Sequence, residues 1–116
     1  LALQLDDHPD NAIATGYKRL EDLVLERTSL QGESGSRLLS NAFQGDKSIL
    51  YWDDHNGGEH SGKASLFTSI FTAYRNRRAH KEFETDPAEA LREFLLINEL
   101  FILESKAVER PTEIIN

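Results

Sequence analysis

Apolar residues recur at helical spacing along most of this chain. Ile13, Tyr17, Leu20 and Val24 follow one another at intervals of four, three and four, with Ala12, Leu23 and Arg27 beside them. That is one stripe of an amphipathic helix. Asp7 or Asp10, flanking Pro9, supplies its N-terminal cap, and Gly32 with Gly35 ends it. Ser36 caps a shorter helix whose buried face is Leu38, Leu39, Ala42 and Phe43. Residues 44–62 are rich in Gly, Asp, Asn and His and read as irregular, with Ile49-Leu50-Tyr51-Trp52 a short extended piece packed on the helices. Ser61 or Ser65 then leads into a long helix with Phe67, Ile70, Phe71 and Tyr74 on its core face.

The last boundary is the sharpest. Asp86-Pro87-Ala88-Glu89 places a capping Asp before a Pro at the first helical position, with Glu three residues after the cap. From there Leu91, Phe94, Leu95, Leu96, Ile97, Leu100, Phe101 and Ile102 wrap more than one face, which marks a helix central to the fold or shared with a second copy. Pro111 stops it. The pattern predicts an all-α bundle of about four to five helices with an irregular loop around residues 44–62.

A length of 116 residues is one domain, 1–116, large enough for its own core. The balance of 39% hydrophobic and 28% charged residues is that of an ordinary soluble protein. No apolar run approaches the roughly 18 residues of a membrane span, and no signal-peptide pattern opens the chain. The absence of cysteine excludes disulfides and thiolate metal sites and fits a cytoplasmic setting. A start at Leu1 without any Met points to part of a longer chain.

Charge changes the picture more. The net −7 argues against coating nucleic acid non-specifically, because such binding runs on Lys and Arg. Yet residues 63–81 carry Lys63, Arg75, Arg77, Arg78 and Lys81 with no acid; setting that +5 aside leaves −12 on the other 97 residues. Any nucleic-acid role acts through this island.

Two other motifs fail on their chemistry. Gly57-Gly58-Glu59-His60-Ser61-Gly62-Lys63-Ala64 comes within one residue of a phosphate-binding P-loop, but Ala64 stands where a hydroxyl must ligate magnesium, and no buried strand leads into it. Asp53, Asp54, His55, Glu59 and His60 are metal-ligand types, but they fall in a Gly-rich segment and read as a solvated acidic loop. His8, beside Pro9, reads as exposed.

Arg75-Asn76-Arg77-Arg78-Ala79-His80 carries the chemistry for RNA cleavage without a metal or cofactor. A neutral imidazole takes the proton of a ribose 2′-hydroxyl, and a guanidinium holds the phosphorane charge bidentately. Cations at 77, 78 and 81 favour the neutral imidazole. The bland alternative is a helix C-terminus decorated with cations, as the macrodipole favours.

Arg-Asn-x-x-x-His near the end of a long helix resembles the signature of the HEPN superfamily, and more closely its Ymh-type branch of uncharacterised bacterial and phage proteins. Asn11-Ala12-Ile13 leading to Leu20-Glu21-Asp22-Leu23-Val24, then Leu38-Leu39-Ser40-Asn41-Ala42-Phe43, then the Arg75–His80 hexapeptide, then Asp86-Pro87-Ala88-Glu89-Ala90-Leu91 echo that branch in order. The resemblance implies a homodimeric helical bundle acting as a metal-independent endoribonuclease in a toxin–antitoxin or phage-defence setting, with an antitoxin or other protein partner. It assigns Arg75 and His80 to catalysis with Asn76 as polar neighbour; Lys63, Arg77, Arg78 and Lys81 then contact the RNA backbone. Arg77 stands where the family commonly has Pro. The alternative is a non-catalytic dimerisation or regulatory module of a larger protein.

Overall fold

Helix α1 (Pro9–Thr28) buries the expected stripe of Ile13, Tyr17, Leu20 and Val24. The computed structural model of the chain describes residues 9–80 and 86–111, with Pro9, Ala79 and His80 described as backbone only. At the end of α1, Thr28 Oγ1 donates to the Val24 carbonyl at 2.8 Å, and the chain reverses through Ser29 and Gly32, both at positive φ. Helix α2 (Gly35–Phe43) buries Leu38, Leu39, Ala42 and Phe43. It starts one residue earlier than the expected Ser36 cap, and Ser34 at the N-cap position makes no side-chain cap bond.

The extended piece expected around residues 49–52 is β1 (Leu50–Tyr51). Its antiparallel partner is β2 (Val108–Glu109), with Leu50 opposite Glu109 and Tyr51 opposite Val108. Trp52 anchors this corner. Its ring stacks on Phe43 at 5.3 Å, Phe43 stacks on Phe67 at 4.2 Å, and its indole N–H donates to the Leu103 carbonyl at 2.8 Å. Truncating a buried aromatic of this kind typically costs about 3–5 kcal/mol.

Helix α3 (Gly57–Ile70) begins earlier than Ser61 or Ser65. Asn56 Oδ1 accepts from the Glu59 N–H at 2.8 Å, and Glu59 Oε1 accepts from the Asn56 N–H at 3.2 Å. This reciprocal capping box outweighs the low helix propensity of Gly57, Gly58 and Gly62. The irregular stretch therefore ends at Asn56, not at residue 62. A π turn (Phe71–Arg75) follows without interruption, and α4 (Asn76–His80) continues the rod. No break occurs at Arg77.

Helix α5 (Pro87–Lys106) opens as the sequence dictates, with Asp86 accepting from the Ala88 and Glu89 N–H groups. Its end is different from expectation. Ala107 turns extended at ψ 145° and the chain enters β2, so the helix stops before Pro111. Arg27 of α1 closes that end: its guanidinium donates to Glu104 Oε1 at 2.9 Å, to the Glu104 carbonyl at 2.7 Å and to the Ala107 carbonyl. Helix α1 packs along α5 and α2 along α3, giving an all-helical bundle with one small two-stranded patch. Among the described residues no helix is long and apolar enough to cross a membrane.

Candidate functional site

The π turn decides which residues of the basic island face inward. The Asn76 N–H bonds to the Phe71 carbonyl, an i→i+5 closure that takes one residue more than an α-turn. Tyr74, expected in the core, is 40% exposed as a result. Arg75 instead turns toward α1, where its Nη2 lies 3.2 Å from Glu21 Oε1. The Glu21 side chain is 4% exposed and that of Arg75 is 32% exposed. Their contact is an ion pair, but its angle does not make a hydrogen bond, and among the described residues Glu21 Oε1 has no hydrogen-bond partner. Glu21 Oε2 accepts a long bond from the Gly35 N–H at 3.4 Å. Gly35 sits at φ +59°, which an L side chain adopts only with strain, so the start of α2 approaches Glu21 through glycine. Arg75 opens onto a cleft of about 220 Å³ lined by Ala14, Tyr17, Lys18, Glu21 and Arg78.

Arg78, one turn on, is placed differently from a side chain reaching for a solvent-side phosphate. Its side chain is 10% exposed. Nε and Nη2 donate to Glu93 Oε2 and Oε1 at 2.7 and 3.0 Å, a bidentate fork, and Nη1 donates to Asp10 at 2.7 Å. Tyr17 completes the cluster by donating its hydroxyl to Glu93 Oε2 at 2.6 Å. Burial, then the hydrogen bond to anionic Glu93, pushes the Tyr17 phenol far above its ordinary value. Burial pulls Arg78 down, but its hydrogen bonds to Glu93 and Asp10 more than offset this and leave it raised. Arg78 thus ties α4 to both α1 and α5, and its charge is fixed across the working pH range.

The other expected contacts spread out. Arg77 lines a different groove, of about 510 Å³, with Tyr74, Glu89, Arg92, Glu93, Leu95 and Leu96. Asn76 is half-buried at the junction of the π turn and α4. Lys63 is in the second turn of α3, twelve residues before Arg75 and so roughly 18 Å away along the rod. The His80 side chain and all of Lys81 lie outside the described residues. On the backbone, α4 carries the helix through to His80.

The Asp53–His60 segment is partly ordered by its own bonds. His60 Nε2 donates to the Phe43 carbonyl at 2.7 Å, and His55 lies against Trp52 with Nδ1 2.8 Å from Asp54. Among the described residues no three His, Asp or Glu side chains are grouped to hold a metal ion.

Sequence reasoning missed Glu21, Glu93 and Lys18. The first two carried a signal. Glu21 falls four residues after Tyr17 and three before Val24, and Glu93 falls three after Ala90 and four before Ile97, so both acids sit on buried stripes. A carboxylate there requires a cation.

Comparison with curated proteins and with solved structures finds no match. A family model does match, over residues 2–102, and it spans α1 through most of α5. Described as a protein of unknown function, that family is Hypoth_Ymh, and this chain belongs to it.

Proposed function

We propose that this chain is a HEPN-type, metal-independent endoribonuclease that works as a homodimer. The observation that carries the reading is Arg75. It is anchored on a buried carboxylate, yet about a third exposed at the mouth of a cleft, as a guanidinium must be to receive a phosphodiester. Arg75 stabilises the phosphorane, His80 moves the proton of the 2′-hydroxyl, and Asn76 orients the phosphate or the sugar. Arg77, Lys63 and Lys81 supply backbone contacts, while Arg78 acts from inside by holding α4 in place.

Geometry within one helix favours a second subunit. Five residues of α-helix set Arg75 and His80 about 140° apart and roughly 7.5 Å along the axis. A partner related by a twofold axis brings its own His80 or Arg75 across, and the RNA backbone neutralises the two islands. Leu91, Leu95 and Ile102, exposed on one side of α5, support an interface there. A cytoplasmic toxin or phage-defence effector, restrained by an antitoxin that reads the acidic remainder of the surface, is the biological setting we infer.

The test is incubation with a mixed RNA pool in EDTA, beside Arg75→Ala and His80→Ala. The reading expects cleavage to 2′,3′-cyclic phosphate ends, lost in both variants with the melting temperature of His80→Ala unchanged. The same exposed α5 side chains favour a second reading, a non-catalytic dimerisation or regulatory module. Absence of cleavage with self-association intact selects it, as does a His80→Ala variant that mainly destabilises.

A further inference from the structure

Lys18 lies 57 residues before Arg75 in sequence and outside the basic island, yet lines the same cleft. Among the described residues it pairs with Asp22 at 3.1 Å, between side chains 69% and 56% exposed. Such an exposed i,i+4 pair is weak and screened by salt, so an incoming anion displaces it readily. Glu21 is the opposite case. It is buried, cannot leave, and among the described residues its Oε1 faces the Arg75 guanidinium without a hydrogen bond. Lys18, Arg75 and Arg78 thus border one cleft; Arg78 is committed to Glu93 and Asp10, which leaves Lys18 and Arg75 as the cations open to a ligand, and Glu21 at the wall fixes Arg75 by a single Nη. The rest of the Arg75 guanidinium remains to donate outward.

We propose that the cleft between α1 and the π turn is a phosphodiester-binding subsite in which Lys18 supplies the second cation and Glu21 is the positioning residue for Arg75. This deepens the RNA reading and rests on it, but it concerns binding and stands or falls separately from cleavage. Its ligand is a backbone phosphate of flexible, single-stranded RNA, as the ribonuclease reading requires, and Ala14 supplies part of the apolar lining.

The experiment uses a short fluorescein-labelled single-stranded RNA with 2′-O-methyl riboses, which cannot be cleaved, titrated across salt concentrations by anisotropy. Lys18→Ala is expected to weaken binding several-fold and to flatten the log–log salt slope by about 0.7, the loss of one phosphate contact on a single strand. Lys18→Arg restores both, and Lys47→Ala, outside the cleft, changes neither. Glu21→Gln is expected to weaken binding in the wild-type background and to have no further effect on Arg75→Ala, the signature of a residue acting through another. Binding with these dependences but without cleavage of an all-ribose strand would keep the subsite and sink the ribonuclease. An unchanged salt slope in Lys18→Ala, or no binding by the wild type, would overturn the subsite whatever the cleavage result. Tighter binding by Glu21→Gln would overturn its positioning role, because the carboxylate would then be competing with phosphate. Should Glu21→Gln fail to fold, the Lys18 pair, on an exposed surface, still decides the subsite.

Discussion

Arg78→Ala tests whether the interior of the site is a clamp or a nucleic-acid contact. The substitution leaves Glu93, whose side chain is 7% exposed, without its bidentate partner, and releases Asp10 in the first turn of α1. Removing one member of a buried pair costs about 3–5 kcal/mol, because the remaining charge is stranded away from water. Tyr17 still donates to Glu93 at 2.6 Å, and one hydrogen bond offsets about 1 kcal/mol, so a loss of about 2–4 kcal/mol is expected. A domain of this size holds about 5–15 kcal/mol in total and loses about 4 °C of Tm per kcal/mol. The drop in Tm should then be about 8–16 °C, read by circular dichroism, with the urea midpoint falling in parallel. Arg78→Met combined with Glu93→Gln removes both charges while leaving Tyr17 an acceptor, and should recover at least half of the loss. A Tm within about 2 °C of wild type for Arg78→Ala, or a double variant no better than the single, would refute the clamp. If RNA binding then fell without loss of stability, Arg78 would be the backbone contact that its place in the basic island first suggested.

Three further outcomes follow from the same structure. The raised Tyr17 phenol contributes stability that is fully present below the ordinary tyrosine value of about 10 and is lost as pH rises beyond it, because the unfolded chain then releases a proton that the folded chain keeps. The urea midpoint should be flat from neutral pH to about 10 and fall above it; Tyr17→Phe should flatten that fall, and an equal fall in Tyr17→Phe would assign it to another group. Leu95, 55% exposed on α5, should carry the dimer contact, so Leu95→Asp should yield a monomer in sedimentation at an unchanged Tm, whereas an unaltered mass would move the interface elsewhere. Asp86→Ala removes the acceptor for the Ala88 and Glu89 N–H groups and should cost about 1 kcal/mol in urea unfolding without altering RNA binding; no change in stability would mean that Pro87 alone fixes the start of α5.

What the sequence made legible were the signals that are local. The α1 stripe, the α2 face and the Asp86-Pro87 cap each rest on residues within one or two turns of each other, and each is where the pattern puts it. What it hid depends on partners far away. Glycines at 57, 58 and 62 read as loop because the Asn56–Glu59 box that overrides them needs both side chains to be recognised together. The end of α5 looked like the work of Pro111, but Arg27, 77 residues from Glu104, and the pairing of β2 with β1 set it instead. The charge asymmetry was the largest misdirection. Arg75 and Arg78 belong to an island without acids only along the chain; in space they meet Glu21, Glu93 and Asp10, so part of that +5 answers carboxylates of α1 and α5.

The same rearrangement explains why a basic hexapeptide on a straight helix is a poor guide to its own site. On a regular helix Phe67, Ile70, Phe71 and Tyr74 form a continuous stripe, and Tyr74 should be as buried as Phe71. The extra residue of the π turn rotates everything after Phe71, trading a buried tyrosine for a largely buried Arg78 and a half-buried Arg75. That trade is unfavourable on transfer grounds, since a phenol ring leaves the core while guanidinium groups enter it. It is sustained because buried carboxylates on α1 and α5 wait for those cations, and removing either partner alone strands the other. A bundle needing only stability is served as well by apolar side chains at 21, 75, 78 and 93. Stability alone therefore does not account for charged side chains at these four positions, with one guanidinium left partly open to a cleft; on the proposed reading the gain lies in the phosphate that Arg75 holds.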